Sequence, residues 1–157
     1  MTTKKTTKTA TKRKRTKSKL SDHEIERIRE MIPTIDELRI IDIRRDYRAI
    51  RKARFGNSIP AVEHVLIALM PRIEMKRMSG EKDVEGACLS GFAGKLLTPY
   101  VIALADDLKV SDQRITLLHE MAHLKVNIKF GRSMGHGKQW KKEMRRLAAA
   151  GAFDDYW

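Results

Sequence analysis

One short segment of the chain places metal-binding side chains at helical spacing. His119 and His123 are four residues apart, so on a helix they lie one turn apart on the same face. Two imidazoles placed in this way can bind a single zinc ion, and Glu120 between them can reach a water on that ion. The H-E-x-x-H spacing is therefore typical of a zinc hydrolase, most often a peptidase, with Glu120 as the general base.

The residues around this segment predict a buried helix. Apolar residues recur at positions 115, 118, 122 and 126, and others at 117, 121, 124 and 128 widen the stripe. Ser111 and Asp112 occupy positions where a helix cap and a first-turn acid are expected, after a strand-like run. Since burying two histidines and a carboxylate without partners is costly, a metal ion is the preferred interpretation. A structural cluster of satisfied polar groups is the alternative.

A third histidine follows between two glycines. Gly135 and Gly137 allow the backbone to turn at His136 and to approach a metal closely, so His136 is the preferred third ligand. Three protein ligands leave the fourth position open, as a hydrolytic zinc site requires. Glu143, on the next predicted helix, is the alternative and would give a His-His-Glu site.

These residues resemble the SprT-like (Spartan-type) metalloprotease domain. The resemblance consists of the H-E-x-x-H helix, the G-H-G turn at 135–137 and the aromatic residue Trp140 in the following helix. It extends over about residues 35–150, although only residues 98–147 carry specific motifs. It implies a Zn²⁺ protease with the three histidines as ligands and Glu120 as catalytic base. It also implies that the substrates are proteins bound or crosslinked to DNA, and a role in DNA repair.

The composition limits the cellular context. A single cysteine, Cys88, excludes intramolecular disulfides and the cysteine-paired zinc ribbon that many SprT-like relatives carry, and it fits a reducing compartment. The sequence contains neither an apolar run of membrane-spanning length nor a recognisable signal peptide. These features predict an intracellular monomer, cytoplasmic or associated with the nucleus or nucleoid, with one domain over residues 21–157.

Positive charge is concentrated in residues 1–20. They contain nine Lys or Arg and no acid, so they carry nine of the net charge of +13. Seven threonines and almost no apolar residues accompany these charges, which predicts a disordered tail. Such a tail binds polyanions through counterion release, and DNA binding through Lys12, Arg13, Lys14 and Arg15 is the preferred interpretation. A solubilising tail without a specific partner is the alternative.

The remaining pattern predicts an α+β domain of the zincin-like type. Helices are predicted over 21–32, 34–54 and 138–150, and strands over 62–69, 73–78, 86–89 and 100–105. The strands are expected to form a small, mostly antiparallel sheet beside the H-E-x-x-H helix and the C-terminal helix. The arginine-rich face of the helix over 34–54 is expected either to extend a nucleic-acid surface or simply to be solvated.

Together these features predict a zinc metalloendopeptidase that acts on DNA-associated or DNA-crosslinked proteins. One alternative is a basic nucleic-acid-binding protein in which zinc only holds the fold. Glu120 weighs against it, because a structural zinc site does not need that carboxylate. The other alternative is a zinc hydrolase whose substrate is not a protein.

Overall fold

The computed structural model describes residues 37–79, 84–89 and 100–154, together with the single residue His23. These residues form four α-helices, α1 (Glu37–Ile50), α2 (Arg72–Ser79), α3 (Val110–Phe130) and α4 (Lys138–Ala149). They also form three strands, β1 (Val65–Met70), β2 (Gly86–Leu89) and β3 (Tyr100–Ala105). The predicted α+β class is therefore confirmed. The predicted tail over 1–20 and the helix over 21–32 lie outside the described residues.

The three strands form one mixed sheet in the order β1-β3-β2. β1 runs parallel to β3, in a register that pairs Val65 with Tyr100, whereas β2 runs antiparallel to β3 and pairs Gly86 with Leu104. The prediction of a mostly antiparallel sheet is therefore wrong for the part of the chain that the structure describes. The physical reason is visible in β1 and β3, which are continuous apolar runs, as is typical of parallel strands covered on both faces.

The strand predicted over 73–78 is also wrong, because these residues belong to helix α2. Pro71 precedes the helix, and its carbonyl accepts hydrogen bonds from the backbone N–H groups of Glu74 (2.9 Å) and Met75 (3.1 Å). On a strand, Ile73 and Met75 would share a face, yet Ile73 is 69% exposed and Met75 only 1%. The helix formers Glu, Met, Lys and Arg decide the conformation here.

Helix α3 is longer than predicted and begins without a side-chain cap. Its first residue is Val110, preceded by Lys109, whose side chain makes no capping hydrogen bond. The predicted cap, Ser111, lies inside the helix and contacts the Asp112 carboxylate at 3.1 Å. The helix ends at Gly131, whose φ of +67° is the left-handed conformation that glycine adopts readily.

The core lies between the sheet and α3. Helix α3 packs against β2 and β3, while α1 and α4 both pack against α3. Side chains from each layer are fully buried in this core, including Tyr47, Ile102, Met121 and Leu147. None of the described helices is both long and apolar enough to cross a membrane.

Arginines of α1 and of the turn after it bind backbone carbonyl groups. The Arg39 guanidinium donates to the carbonyls of Asp106 and Leu108, just before α3. The Arg54 guanidinium donates to the carbonyl of Gly151 at 3.0 Å, just after α4. These arginines therefore have a structural use, because Arg39 of α1 binds beside the start of α3 and Arg54 of the following turn binds beside the end of α4.

Candidate metal centre

Three imidazole nitrogens face one another beside the middle of helix α3. His119 and His123 project from α3, and His136 comes from the loop between α3 and α4. The Nε2 atoms form a triangle with sides of 3.2 Å (119–123), 3.1 Å (123–136) and 3.0 Å (119–136). The structure therefore brings together the three histidines that the sequence singles out, and positions them to bind a metal ion.

The size and charge of this triangle suit a tetrahedral metal ion. Two nitrogens bound to tetrahedral zinc lie about 3.3 to 3.4 Å apart, close to the observed sides. Burial lowers the pKa of His119 to about 4, with His136 adding to the effect. Burial lowers the pKa of His123 to about 3, helped by the two neighbouring histidines. Both rings are therefore neutral at pH 7, and a cation is the partner that satisfies the converging nitrogen lone pairs together.

Glu120 lies next to the histidine triangle. Its carboxylate Oε1 is 3.8 Å from His119 Nε2, and the residue is only 4% exposed. It also lines a cavity of about 260 Å³ that reaches His119 and His136. A carboxylate in this position is within one water of an ion held by the triangle, which is the geometry a general base requires.

The Trp140 side chain on α4 contacts all three histidine rings. Its ring centroid lies 4.7 Å from that of His119, 5.1 Å from His123 in a stacked arrangement, and 4.6 Å from His136. The indole Nε1 is buried and has no hydrogen-bond partner among the residues described. Trp140 therefore anchors the His136 loop against α3 through ring contacts.

Comparison with known families agrees with this arrangement. Residues 93–155 match the model of the SprT-like family. Residues 93–155 form a SprT-like domain. The match includes the three histidines, Glu120 and Trp140, and it suggests a metallopeptidase-like function. Searches of curated proteins and of solved structures gave no significant match.

Gly86, at the start of β2, is a site residue that the sequence interpretation missed. A Cβ atom at this position would lie 2.6 Å from Thr116 Cγ2 and 2.9 Å from both Cγ and Oε1 of Glu120. Only a glycine lets β2 approach this closely to the SprT-like domain's H-E-x-x-H helix. The signal was available, because an isolated glycine in a strand often marks a close backbone approach.

Asn127 is a second missed residue and fixes the loop that carries His136. It lies one turn beyond His123 on α3 and is 2% exposed. Its side-chain Oδ1 accepts a hydrogen bond from the Met134 backbone N–H at 3.0 Å, and its backbone carbonyl accepts one from Arg132 at 3.2 Å. No sequence pattern points to these bonds, because they depend on how the loop folds back on the helix.

Glu143, the alternative third ligand, is held by two cations away from the triangle. Lys125 Nζ contacts both carboxylate oxygens at 2.8 and 2.9 Å, and the Arg146 guanidinium contacts Oε1 at 2.6 Å. Burial alone would raise the pKa of Glu143, but hydrogen bonds and charge from Arg146 and Lys125 lower it overall. The structure thus places His136, and not Glu143, beside His119 and His123.

A cleft of about 370 Å³ runs beside the histidine triangle. One wall consists of apolar side chains, among them Met78 of α2, Val84 just before β2, and Leu89 of β2. Cys88 lies in the same wall, and burial raises the pKa of its thiol, so it remains protonated and packs as a small apolar residue. The predicted nucleic-acid-binding residues Lys12, Arg13, Lys14 and Arg15 lie outside the described residues.

Proposed function

We propose that this SprT-like domain is a zinc-dependent endopeptidase of the zincin-like type, acting on DNA-associated or DNA-crosslinked proteins. The observation that carries the proposal is the Nε2 triangle of His119, His123 and His136 with the Glu120 carboxylate beside it. Three ligands leave one coordination position for the reaction, as in catalytic and unlike structural zinc sites. When bound there, zinc supplies Lewis-acid chemistry for hydrolysis.

Protein groups around the triangle supply proton transfer and substrate binding. Glu120 accepts a proton from the attacking water and returns it to the leaving amine nitrogen. Glu120 is buried where α3 faces Gly86 of β2. Its carboxylate therefore does not have to be ordered during the reaction. The apolar wall of the cleft, formed by Met78, Val84 and Leu89, suits an uncharged side chain of a peptide substrate.

Two features support DNA-associated proteins as the substrate class. The first is the family, because the resemblance to Spartan-type proteases implies proteins held on DNA. The second is the concentration of nine cations in residues 1–20, which suits binding to a polyanion. A DNA-binding protein and its protease would then meet on the same strand.

The test is proteolysis of a DNA-bound basic protein by the zinc-loaded chain, with and without single-stranded DNA. The Glu120→Gln variant should keep its zinc and lose cleavage, because the amide cannot accept the proton. Glu143→Gln is the matched control, since it makes the same chemical change on the neighbouring helix, and it should keep both zinc and cleavage. His136→Ala should lose zinc, which metal analysis measures directly.

Each alternative function has its own outcome in this experiment. Cleavage by the Glu120→Gln variant would exclude Glu120 as the base. Cleavage that is indifferent to DNA would leave a peptidase without the proposed substrate class. Tight DNA binding with no cleavage of any protein would favour a nucleic-acid-binding protein with a structural zinc site.

A further inference from the structure

Helix α4 has two faces of opposite character. Trp140, Met144 and Leu147 pack inward against the core. The opposite face carries four exposed cations at the spacing i, i+3, i+4 and i+7, namely Lys138, Lys141, Lys142 and Arg145. This spacing aligns them along one side of the helix over about 10 Å. We refer to these four residues as the α4 cationic face.

The α4 cationic face takes no part in holding the described fold together. None of its four side chains forms an ion pair or a hydrogen bond with another described residue. The only acid of α4 is Glu143, which is buried and bound by Lys125 and Arg146. The arginines of α1 differ, because Arg39 and Arg44 bind carbonyl groups and Arg48 binds the Glu63 carboxylate.

This arrangement lowers the stability of the helix that carries it. The first turn of α4 contains Lys138 and Lys141 and no acid, although the positive end of the helix dipole favours acids there. Like charges at i, i+3 and i+4 also repel one another. A face that costs stability and makes no internal contact is best explained by an external anionic partner.

The chemistry of the face indicates which anion it binds. We infer that the α4 cationic face is a docking surface for the phosphate backbone of a nucleic acid. A protein partner would need an apolar or aromatic centre in the interface, and this face has neither. It also lacks the exposed aromatic residues on which bases stack. Three lysines and an arginine in a row instead match a line of phosphates, without reading the bases.

The position of the face links it to the metal centre. Lys138 follows His136 by two residues, and the indole of Trp140 on the same helix contacts all three histidines. A strand lying along the α4 cationic face therefore comes nearest to the metal centre at its Lys138 end, because Trp140 contacts the histidines from the opposite face of the helix. That a protein on this strand is presented for cleavage rests on the proposed function, whereas the binding of the strand does not.

The experiment compares two triple variants of the full chain that lose the same charge. One is Lys138→Gln/Lys141→Gln/Lys142→Gln. The control is Lys52→Gln/Lys76→Gln/Lys109→Gln, which neutralises three exposed lysines spread over the surface. Fluorescence polarisation measures binding of short labelled single and double strands over a series of salt concentrations. Both variants keep residues 1–20, so the difference between them isolates α4.

The α4 variant should bind about tenfold more weakly than the control, for every oligonucleotide sequence. In a plot of log K against log salt concentration, the slope should become shallower by about 2 to 3. Each phosphate contact contributes about 0.7 to this slope for single strands and about 0.9 for duplexes, and the variant loses three contacts. Equal losses in the two variants would overturn the inference, since only net charge would then matter. A larger loss of binding to poly-glutamate than to DNA would overturn it in favour of an acidic protein.

Failure of the proposed function gives a different result. Binding is measured without a protein substrate and in the Glu120→Gln background as well, so it does not depend on cleavage. If the chain cleaves nothing but the α4 variant still loses binding, the docking surface stands and the peptidase does not. If a DNA-free unfolded protein is cleaved while α4 makes no difference to binding, the peptidase stands and the docking surface is wrong.

Discussion

Replacement of Gly86 by alanine tests whether the close approach of β2 to α3 fixes the position of Glu120. The new Cβ would lie 2.6 Å from Thr116 Cγ2 and 2.9 Å from Glu120 Cγ and Oε1. Carbon atoms in contact are normally about 3.5 to 4.0 Å apart, so Thr116 must shift by about 0.9 Å and Glu120 by about 0.6 Å. The two residues are 6% and 4% exposed, so neither can move into solvent freely.

These overlaps set the expected effects. Overpacking of this kind costs about 1 to 3 kcal/mol of unfolding free energy. For a domain of this size, that cost lowers Tm by about 2 to 12 °C. A misplacement of about 1 Å at a catalytic group can cost about 100-fold in rate, so the shift of about 0.6 Å at Glu120 should lower the cleavage rate about 10- to 100-fold. Zinc content should stay at the wild-type value, because the atoms nearest to the new methyl group belong to Thr116 and Glu120 and not to a histidine.

Calorimetry, metal analysis and cleavage of a protein substrate measure these three effects separately. A second variant, Gly86→Ala with Thr116→Ser, removes the methyl group in the 2.6 Å contact and leaves the contacts with Glu120. It should recover most of the lost Tm but little of the lost cleavage rate. If the Gly86→Ala variant has the same Tm and the same cleavage rate as the wild type, then β2 does not fix the position of Glu120. Loss of zinc together with activity would instead show a general disruption of the centre.

Three further predictions follow from the site. Asn127→Ala should weaken zinc affinity about tenfold, because the loop that carries His136 loses its main anchor, and competition with a chromophoric chelator would show it. Burial lowers the pKa values of His119 and His123 below the unfolded value of about 6.5, so the unfolding free energy of the metal-free protein should be constant above about pH 6.5 and decrease toward pH 4. Urea titrations would measure this decrease, and replacing both histidines by glutamine should remove the part of it between about pH 6.5 and 5, which lies above the range where Glu143 contributes. Trp140→Phe should cost less than about 1 kcal/mol, since it removes a buried unpaired N–H along with some packing, whereas Trp140→Ala should cost about 3 to 5 kcal/mol.

The parts of the centre that follow from local geometry could be predicted from the sequence. Helical periodicity alone places His119 and His123 on one face, and the flanking glycines mark His136 as a turn residue. The long apolar pattern of α3 predicts a helix, as the structure confirms. These signals depend on residues within a few turns of one another, where backbone geometry dictates which side chains meet.

The predictions from sequence are wrong or incomplete where contacts between residues far apart in the sequence determine the structure. The pairing of β1 with β3 joins segments on either side of α2 and β2, and nothing local shows its direction. The apolar residues of α2 fit a short strand as well as a short helix, so periodicity alone cannot assign them. The roles of Gly86 and Asn127 depend on which backbone comes near them, which only the assembled fold reveals.

The sequence proximity of the three histidines has a consequence for how the protein is made. His119 and His136 are only 17 residues apart, and His123 and His136 only 13. Closing the loop between His119 and His136 costs about 0.6 kcal/mol less chain entropy than joining β1 to β3, where Val65 pairs with Tyr100 across about twice the length of chain. Capture of an ion by the histidine triangle can therefore precede pairing of the sheet. A newly synthesised chain would then use the metal first as a folding template, and scarcity of the ion would reduce the yield of folded protein before it limited turnover.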